Sequence, residues 1–244
     1  MKPAPGTRRH MRAIAVVPSF KEAEIVGETV AALWGLELLD DITVVDDASG
    51  DGTAEAARDA GARVVVNGRN LGKGGSLNRV LRGLEFDVLL LIDGDLGRHA
   101  ARARAILEPV LACDADLSIA AFPPPRNKGG FGLAQGLGSR GILWASGVTM
   151  RSPLSGQRAM TRDVFESVSP FERGFGVEVG MTIDALMSGF RVLEVETDMS
   201  HRETGRDLAG FVHRGRQFMD ISSAILRRSR RPGARDNENR AVGR

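Results

Sequence analysis

Residues 87–95 read DVLLLIDGD, and this stretch decides the fold. Val88–Ile92 are five apolar residues in a row. The run is too short for an ordinary helix and has no polar alternation, so it reads as a strand buried on both faces. It stops at Asp93-Gly94-Asp95. Working outward, the pattern recurs. Residues 42–45 (ITVV) run into Asp46 and Asp47, residues 63–66 (RVVV) into Asn67, and residues 13–17 (AIAVV) into Pro18 and Ser19. Between these runs, 22–35, 53–60 and 74–84 have helical spacing. After them, 100–112 reads as a helix and 117–121 as a fifth strand. The alternation predicts an α/β fold: one Rossmann-like domain, a mainly parallel central sheet, helices on both faces. Ligands bind such sheets beyond the carboxyl ends of the strands. The polar clusters Ser19–Glu22, Asp46–Thr53, Asn67–Lys73 and Asp93–Asp95 all fall there.

Beyond residue 122 the pattern loosens. Pro123–Pro125 break the chain, and six glycines within 126–141 predict a mobile loop. Residues 161–168 and 177–188 read as helices, 190–195 as a strand, and 207–228 as a long basic helix. The expected organisation is a flexible basic tail over 1–11, one domain over 12–228, and a disordered basic tail over 229–244.

Charge is unevenly distributed. Residues 1–12 carry +4 and residues 227–244 carry +5, whereas the whole chain is +2, which leaves 13–226 at −7. A duplex-binding domain carries its positive charge on the folded surface, so no nucleic-acid partner is expected. The basic ends read as solvated tails, or as segments that touch anionic lipid or an acidic partner. The single cysteine, Cys113, cannot form an internal disulfide, and this fits a cytoplasmic location. No apolar run is long enough to span a membrane, and the N-terminus lacks a signal-peptide core.

The acidic pairs carry the chemistry. Asp93 and Asp95 repel each other at the end of a buried strand. A divalent cation shared with a substrate phosphate would keep both ionised, and Mg²⁺ or Mn²⁺ is bound in this way. A plain Asp-Gly turn is the other reading. Asp46 and Asp47 could accept hydrogen bonds from a base or ribose, while Asp51 or Thr53 caps the next helix. Asn70-Leu71-Gly72-Lys73-Gly74-Gly75 is one residue short of a Walker A loop and has glycine where Ser or Thr is needed. A P-loop ATPase is disfavoured, but an anion site around Lys73 remains. Glu178 is an acid in an apolar, glycine-rich stretch, which suits acid/base or hydrogen-bonding work, or a helix N-terminus. Arg158 and Arg202 could meet phosphate or carboxylate groups. His201 reads as structural unless the fold brings it to Asp95.

Taken in order, these residues resemble the GT-A glycosyltransferases, family 2 above all. Pro18-Ser19-Phe20-Lys21-Glu22 is similar to their opening Pro-x-x-x-Glu. Val45–Thr53 resembles their VDDxSxDGT segment. Asn70–Gly74 with Asn78 resembles N-x-G-K-G-x-x-x-N, and Asp93-Gly94-Asp95 looks like the DxD motif. In the second half, Pro153–Ala159, Gly174–Gly180, Ile183-Asp184 and His201-Arg202 run in the order of glucosyl-3-phosphoglycerate synthases, and mannosylglycerate synthases share part of this layout. One departure is Gly132-Leu133-Ala134-Gln135, which stands where those enzymes have an Arg-Val-Thr-Glu stretch that helps hold the acceptor.

The resemblance implies a GT-A domain and a metal-dependent transfer of sugar from a UDP- or GDP-sugar. Pro18, Phe20, Glu22 and one of Asp46 and Asp47 would hold base and ribose, with Ser49 against the nucleoside. Lys73 would approach nucleotide or donor sugar, and Asp93 ribose or donor sugar. Asp95 and His201 would bind Mg²⁺ or Mn²⁺. Ser155, Gly156 and Gln157 would border donor sugar and acceptor, and Arg158 and Arg202 would meet acceptor or phosphate. Glu178 would hydrogen-bond sugar hydroxyls or act as base. The expected acceptor is a small molecule, such as a phosphorylated one, or a lipid-linked phosphate. Peripheral contact of the basic C-terminal segment with the inner membrane surface, and a homodimer, stay open. A sugar nucleotidyltransferase is the competing class. Its glycine-rich signature after the first strand is absent here, where the chain reads Pro-Ser-Phe-Lys-Glu. A catalytically silent nucleotide-binding protein is a third reading, against which the intact aspartates speak.

Overall fold

A computed structural model describes residues 10–122, 131–172, 176–199, 222, 223, 225, 227 and 228. Strand and helix alternate through β1 (Ala13–Ser19), α1 (Val26–Trp34), β2 (Asp41–Asp46), α2 (Thr53–Asp59), β3 (Arg63–Val66), α3 (Gly72–Leu81) and β4 (Val88–Leu91). A 3-10 stretch, Gly94–Ala103, then leads into α4 (Arg104–Leu111) and β5 (Leu117–Ala121). The second half contributes α5 (Phe131–Ser146), β6 (Arg158–Thr161), α6 (Arg162–Val168), α7 (Val177–Met187) and β7 (Val192–Glu196).

The strands form one seven-stranded sheet in the order β3-β2-β1-β4-β6-β5-β7. Pairing is parallel except at β6, which runs antiparallel to both β4 and β5. The apolar runs are what a doubly covered sheet needs. Along β1, Ile14 and Val16 face a core built with Leu77 and Leu81 of α3, Ile142 of α5 and Val179 and Ile183 of α7. Ala13, Ala15 and Val17 face the opposite core, with Val26, Val30 and Leu33 of α1 and Ile106, Leu107 and Val110 of α4. In β4, Leu89 and Leu91 enter the first core and Val88, Leu90 and Ile92 the second. Each such fully buried side chain contributes about 1.5–3 kcal/mol of transfer free energy, which is why this run sits at the sheet's centre.

After β1 the chain builds outward through β2 and β3, and α3 carries it back to the other side of β1, where β4 lies. The strand order therefore reverses between β1 and β4. Connections leave in opposite directions at that point and open a crevice at the carboxyl ends.

Three features differ from the sequence-based expectation. The helix expected over 74–84 begins earlier, at Gly72, so Lys73 belongs to its first turn. β6 was not anticipated: it is four residues long and carries Arg158 and Thr161, with no apolar run to announce it. The glycine-rich part expected as a mobile loop is helical from 131 onward. Its glycines give close packing. A Cβ at Gly138 would stand 3.1 Å from Pro153, and one at Gly141 would collide with Ile225. Residues 123–130, the two expected tails over 1–9 and 229–244, and most of 207–228 lie outside the described residues.

Candidate active site

The crevice begins where β1 ends. The chain turns through Phe20 and Lys21, and Lys21 takes the left-handed conformation, φ 59°. Phe20 is 45% exposed, with the Lys21 ammonium 5.4 Å from its ring centre. An aromatic face left open at the end of a buried strand is suited to stacking on a planar ligand. Pro18 is the neighbour of Val45 in the β1–β2 register.

The loop after β2 is fastened to this turn. Lys21 N donates to Ser49 Oγ at 2.9 Å, and Glu22 N to Thr53 Oγ1 at 2.9 Å. Asp51 caps the opening of α2 by accepting from Thr53 N at 3.0 Å. The adjacent aspartates divide their work. Asp46 Oδ1 accepts from Ser49 N at 3.0 Å. Asp47 accepts from Asn67 Nδ2 at 2.7 Å, Leu71 N at 2.8 Å and Gly72 N at 2.7 Å. The Asp47 carboxylate thus ties β2 to the first turn of α3, where amide N–H groups otherwise lack partners.

That tie places Lys73. Its Nζ lies 2.6 Å from Asp93 Oδ1 and 3.0 Å from Glu178 Oε1. Gln157 Nε2 donates to the other Asp93 oxygen at 2.8 Å, and Ser155 Oγ reaches Gln157 Oε1 at 3.4 Å. Burial alone would push the Lys73 ammonium down, but the Asp93 and Glu178 carboxylates outweigh it and hold its pKa above the ordinary lysine value. Gly156 is required by space: a Cβ there would strike Lys73 Nζ and stand 2.5 Å from Asp93 Oδ2. Lys73, Asp93, Gly156, Gln157 and Glu178, drawn from four separate segments, therefore meet.

A second acidic group adjoins them. Burial pushes the Glu22 carboxyl up to about 8, and the charges of Asp95 and Asp93 push the same way, against the Ser19 hydroxyl and Lys73. Ser19 Oγ and Glu22 Oε2 are buried beside each other, and neither has a hydrogen-bond partner elsewhere among the described residues. A Cβ at Gly94 would collide with both, so that position admits no side chain. Thr29 of α1 shapes the turn: its Oγ1 donates to Gly94 O at 2.7 Å and accepts from Gly97 N at 2.8 Å. Sequence reasoning missed Thr29, because a threonine in an amphipathic helix carries no functional signal.

Arg158 is turned into the interior. It is fully buried, with donor bonds to Ser155 O at 2.8 Å, Thr182 Oγ1 at 2.8 Å and Pro153 O at 3.3 Å. Burial lowers its pKa to about 10, opposed by Glu178, Glu194 and Asp93, so it stays charged at neutral pH. The arginine expected to meet phosphate instead braces the 153–157 segment from inside. His201 and Arg202 lie outside the described residues, as do Gly174 and Phe175. A cavity of about 1110 Å³ opens at the carboxyl ends of β5 and β7, lined by Arg102, Phe122, Gln135, Arg151, Thr197 and Asp198 among others.

Comparison with known proteins adds the following. The family model "Glycosyl transferase family 2" matches residues 14–136. Glycosyltransferase AglJ of Haloferax volcanii is 30% identical over 79% of this chain and 64% of its own length. Undecaprenyl-phosphate mannosyltransferase of Micrococcus luteus is 29% identical over 80% of this chain and 86% of its own. Glucosyl-3-phosphoglycerate synthase of Mycolicibacterium smegmatis is 33% identical over 69% and 62%. The chain thus spans a little under two thirds of two of these relatives. The crystal structure of glucosyl-3-phosphoglycerate synthase from Mycobacterium tuberculosis with Mn²⁺, UDP and glucosyl-3-phosphoglycerate superposes with TM-score 0.73 at 26% identity, covering 89% of this chain and 80% of that one. The same enzyme is also known with Mg²⁺ and UDP.

Proposed function

The chain belongs to glycosyl transferase family 2, and on that premise we propose that it transfers a sugar from a UDP- or GDP-sugar, with Mg²⁺ or Mn²⁺, to a phosphate-bearing acceptor. The observation that carries the reading is the meeting of Lys73, Asp93, Gln157 and Glu178 beside Asp95 and Glu22 at the strand-order reversal.

The residues present fit a hard divalent cation. The cluster offers carboxylate oxygens of Glu22, Asp93 and Asp95, and the buried Glu22 Oε2 and Ser19 Oγ have no partner beyond each other among the described residues. Asp95 would hold the cation together with His201. When bound, it would stabilise negative charge on the departing nucleotide. The chain's own residues do the rest. Phe20 stacks on the base, and Pro18, Asp46 and Ser49 line the nucleoside. Asp47 acts behind them by fixing the Lys73 loop. Asp93, clamped between Lys73 and Gln157, is oriented to accept from ribose or sugar hydroxyls. Glu178 lies 3.0 Å from the Lys73 ammonium, which supports a hydrogen-bonding role over that of a base. Ser155 and Gly156 border the sugar.

For the acceptor, the names of two relatives each contain a phosphate-bearing compound, undecaprenyl phosphate and 3-phosphoglycerate. The cavity lined by Gln135 and Arg151 is the acceptor side in this reading. No helix of the described residues is long and apolar enough to cross a membrane. If the acceptor is lipid-linked, the +5 charge of residues 227–244 would bring the chain to an anionic surface.

Calorimetric titration of UDP and GDP, each with and without Mn²⁺, tests the site. Metal-dependent binding of one nucleotide is expected and names the donor base. A folded sample that binds neither sinks the reading.

A further inference from the structure

A groove of about 760 Å³ runs along the side of α3 turned away from Lys73. At about 100° per residue, Gly75, Asn78, Arg79 and Arg82 lie opposite Lys73 on this helix. Arg69 enters from the loop before the helix, and Phe171 forms part of the far wall. That wall is fixed: Asn78 Nδ2 donates to Phe171 O at 2.9 Å, and Phe171 N donates to Asn78 Oδ1 at 2.7 Å.

Among the described residues, three guanidinium groups line this groove and no carboxylate does. The surroundings make that unusual, since residues 13–226 carry −7 overall. Arg79 uses one nitrogen on Val66 O at 3.3 Å and on the Asn67 side chain. Arg69 and Arg82 make no hydrogen bond or ion pair to any described residue. The helix dipole accounts for Arg79 and Arg82, which sit at the carboxyl end of α3, where cations are favoured. It does not account for Arg69. That residue stands at the amino end, where the dipole opposes a cation and an anion is welcome. The three charges are strung along a helix of 10 residues, about 15 Å by the rise per residue, so one compact anion cannot meet them all.

We propose that this groove binds an extended polyanion with several phosphate groups in line, at a site separate from the donor crevice. Arginine forks pair with phosphate oxygens, and a line of them selects a chain of phosphates over a single carboxylate.

Binding of tripolyphosphate to the full chain in EDTA tests this, because the chelator withdraws the cation that the donor site needs. Saturable binding is expected in the wild type and in Asp95→Ala. The exposed double variant Arg69→Ala/Arg82→Ala should lose about tenfold or more in affinity. The control Arg12→Ala/Arg140→Ala removes two exposed charges elsewhere and should bind as wild type. Equal losses in both double variants, or none in either, would overturn the proposal, because attraction would then be general. Loss of binding in Asp95→Ala alone would overturn it too, by moving the anion to the donor crevice. Vesicles containing phosphatidic acid distinguish the source of the phosphate. Retention that vanishes in Arg69→Ala/Arg82→Ala assigns the groove to clustered headgroups. Tripolyphosphate binding without retention assigns it to a soluble oligophosphate.

Discussion

Replacing Gly156 with alanine puts a methyl group where Lys73 and Asp93 already meet. An ideal Cβ at this position stands 2.5 Å from Asp93 Oδ2 and 3.0 Å from Oδ1, and closer still to Lys73 Nζ. Ordinary contact begins near about 3.5 Å, so one partner must retreat by roughly 1 Å. Asp93 is short and pinned by Gln157 at 2.8 Å. Lys73 is longer, but it is held between Asp93 at 2.6 Å and Glu178 at 3.0 Å. Gly156 does not have a left-handed φ, so alanine adds no backbone strain and the test isolates the side-chain collision. Losing a charge-assisted bond costs about 1.5–3 kcal/mol. Both partners keep about a quarter of their surface, 26% and 27%, so solvent screening favours the lower part of that range. A loss of about 2 kcal/mol lowers Tm by roughly 4–8 °C in a domain of this size. A displacement of about 1 Å at reacting groups can cost on the order of a hundredfold in turnover. Scanning calorimetry reads the first effect, and transfer from the donor identified by nucleotide titration reads the second. A variant with unchanged Tm and unchanged turnover would refute the idea that Lys73, Asp93 and Gly156 are packed this closely.

Other perturbations separate the parts of the site. Asp95→Ala should abolish Mn²⁺-dependent nucleotide binding while leaving Tm within a few degrees, and wild-type binding would remove Asp95 from the metal site. Glu22 predicts a pH effect in chelator-treated protein. Its folded pKa, about 8, exceeds the ordinary 4.5, so the folded state holds a proton that the unfolded state releases. Stability therefore falls as pH rises between those values, by about 1.4 kcal/mol per pH unit and on the order of 3 kcal/mol by pH 7. Glu22→Gln should flatten that slope, and an unchanged slope in pH-dependent urea melts would place the proton elsewhere. A Cβ at Gly136 in α5 meets nothing within 4 Å. Gly136→Ala should stabilise by about 0.5–1 kcal/mol, and a lowered Tm would contradict the helix seen there.

What the sequence could disclose depended on how each contact is encoded. β1, β2 and β4 were legible because a strand covered on both faces must be apolar throughout, as in VLLLI and ITVV, whereas β3, a half-buried edge strand, was legible from its three consecutive valines. The acidic strand ends were legible because paired carboxylates beside a buried run need a reason. The antiparallel β6 was not, since only four residues enter the sheet and the largest is a buried arginine whose partners lie in the 153–155 turn and on α7. Glycine misled in α5, where composition alone cannot tell room for a neighbour from freedom of the backbone. The equal standing of Asp46 and Asp47 was resolved only by hydrogen bonds to residues 67–72.

One contact outside the Lys73–Asp93–Glu178 cluster bears on how the chain is assembled. Arg228 lies 3.0 Å from Glu172 and 2.5 Å from Asp184, and Gly180 leaves its guanidinium room. Those acids flank the segment that carries Glu178. During synthesis the chain emerges from its amino end, so α7 and its glutamate are complete well before Arg228 exists. Until then the Glu172–Asp184 pair lacks this cation, and Ile225 has not yet filled the hollow at Gly141. A nascent chain stopped short of residue 225 would have every donor-side motif and still lack the brace that seats α7. The donor-side motifs thus precede their brace in the order of synthesis, and a ribosome stalled between residues 202 and 225 would hold a recognisable but unfinished domain.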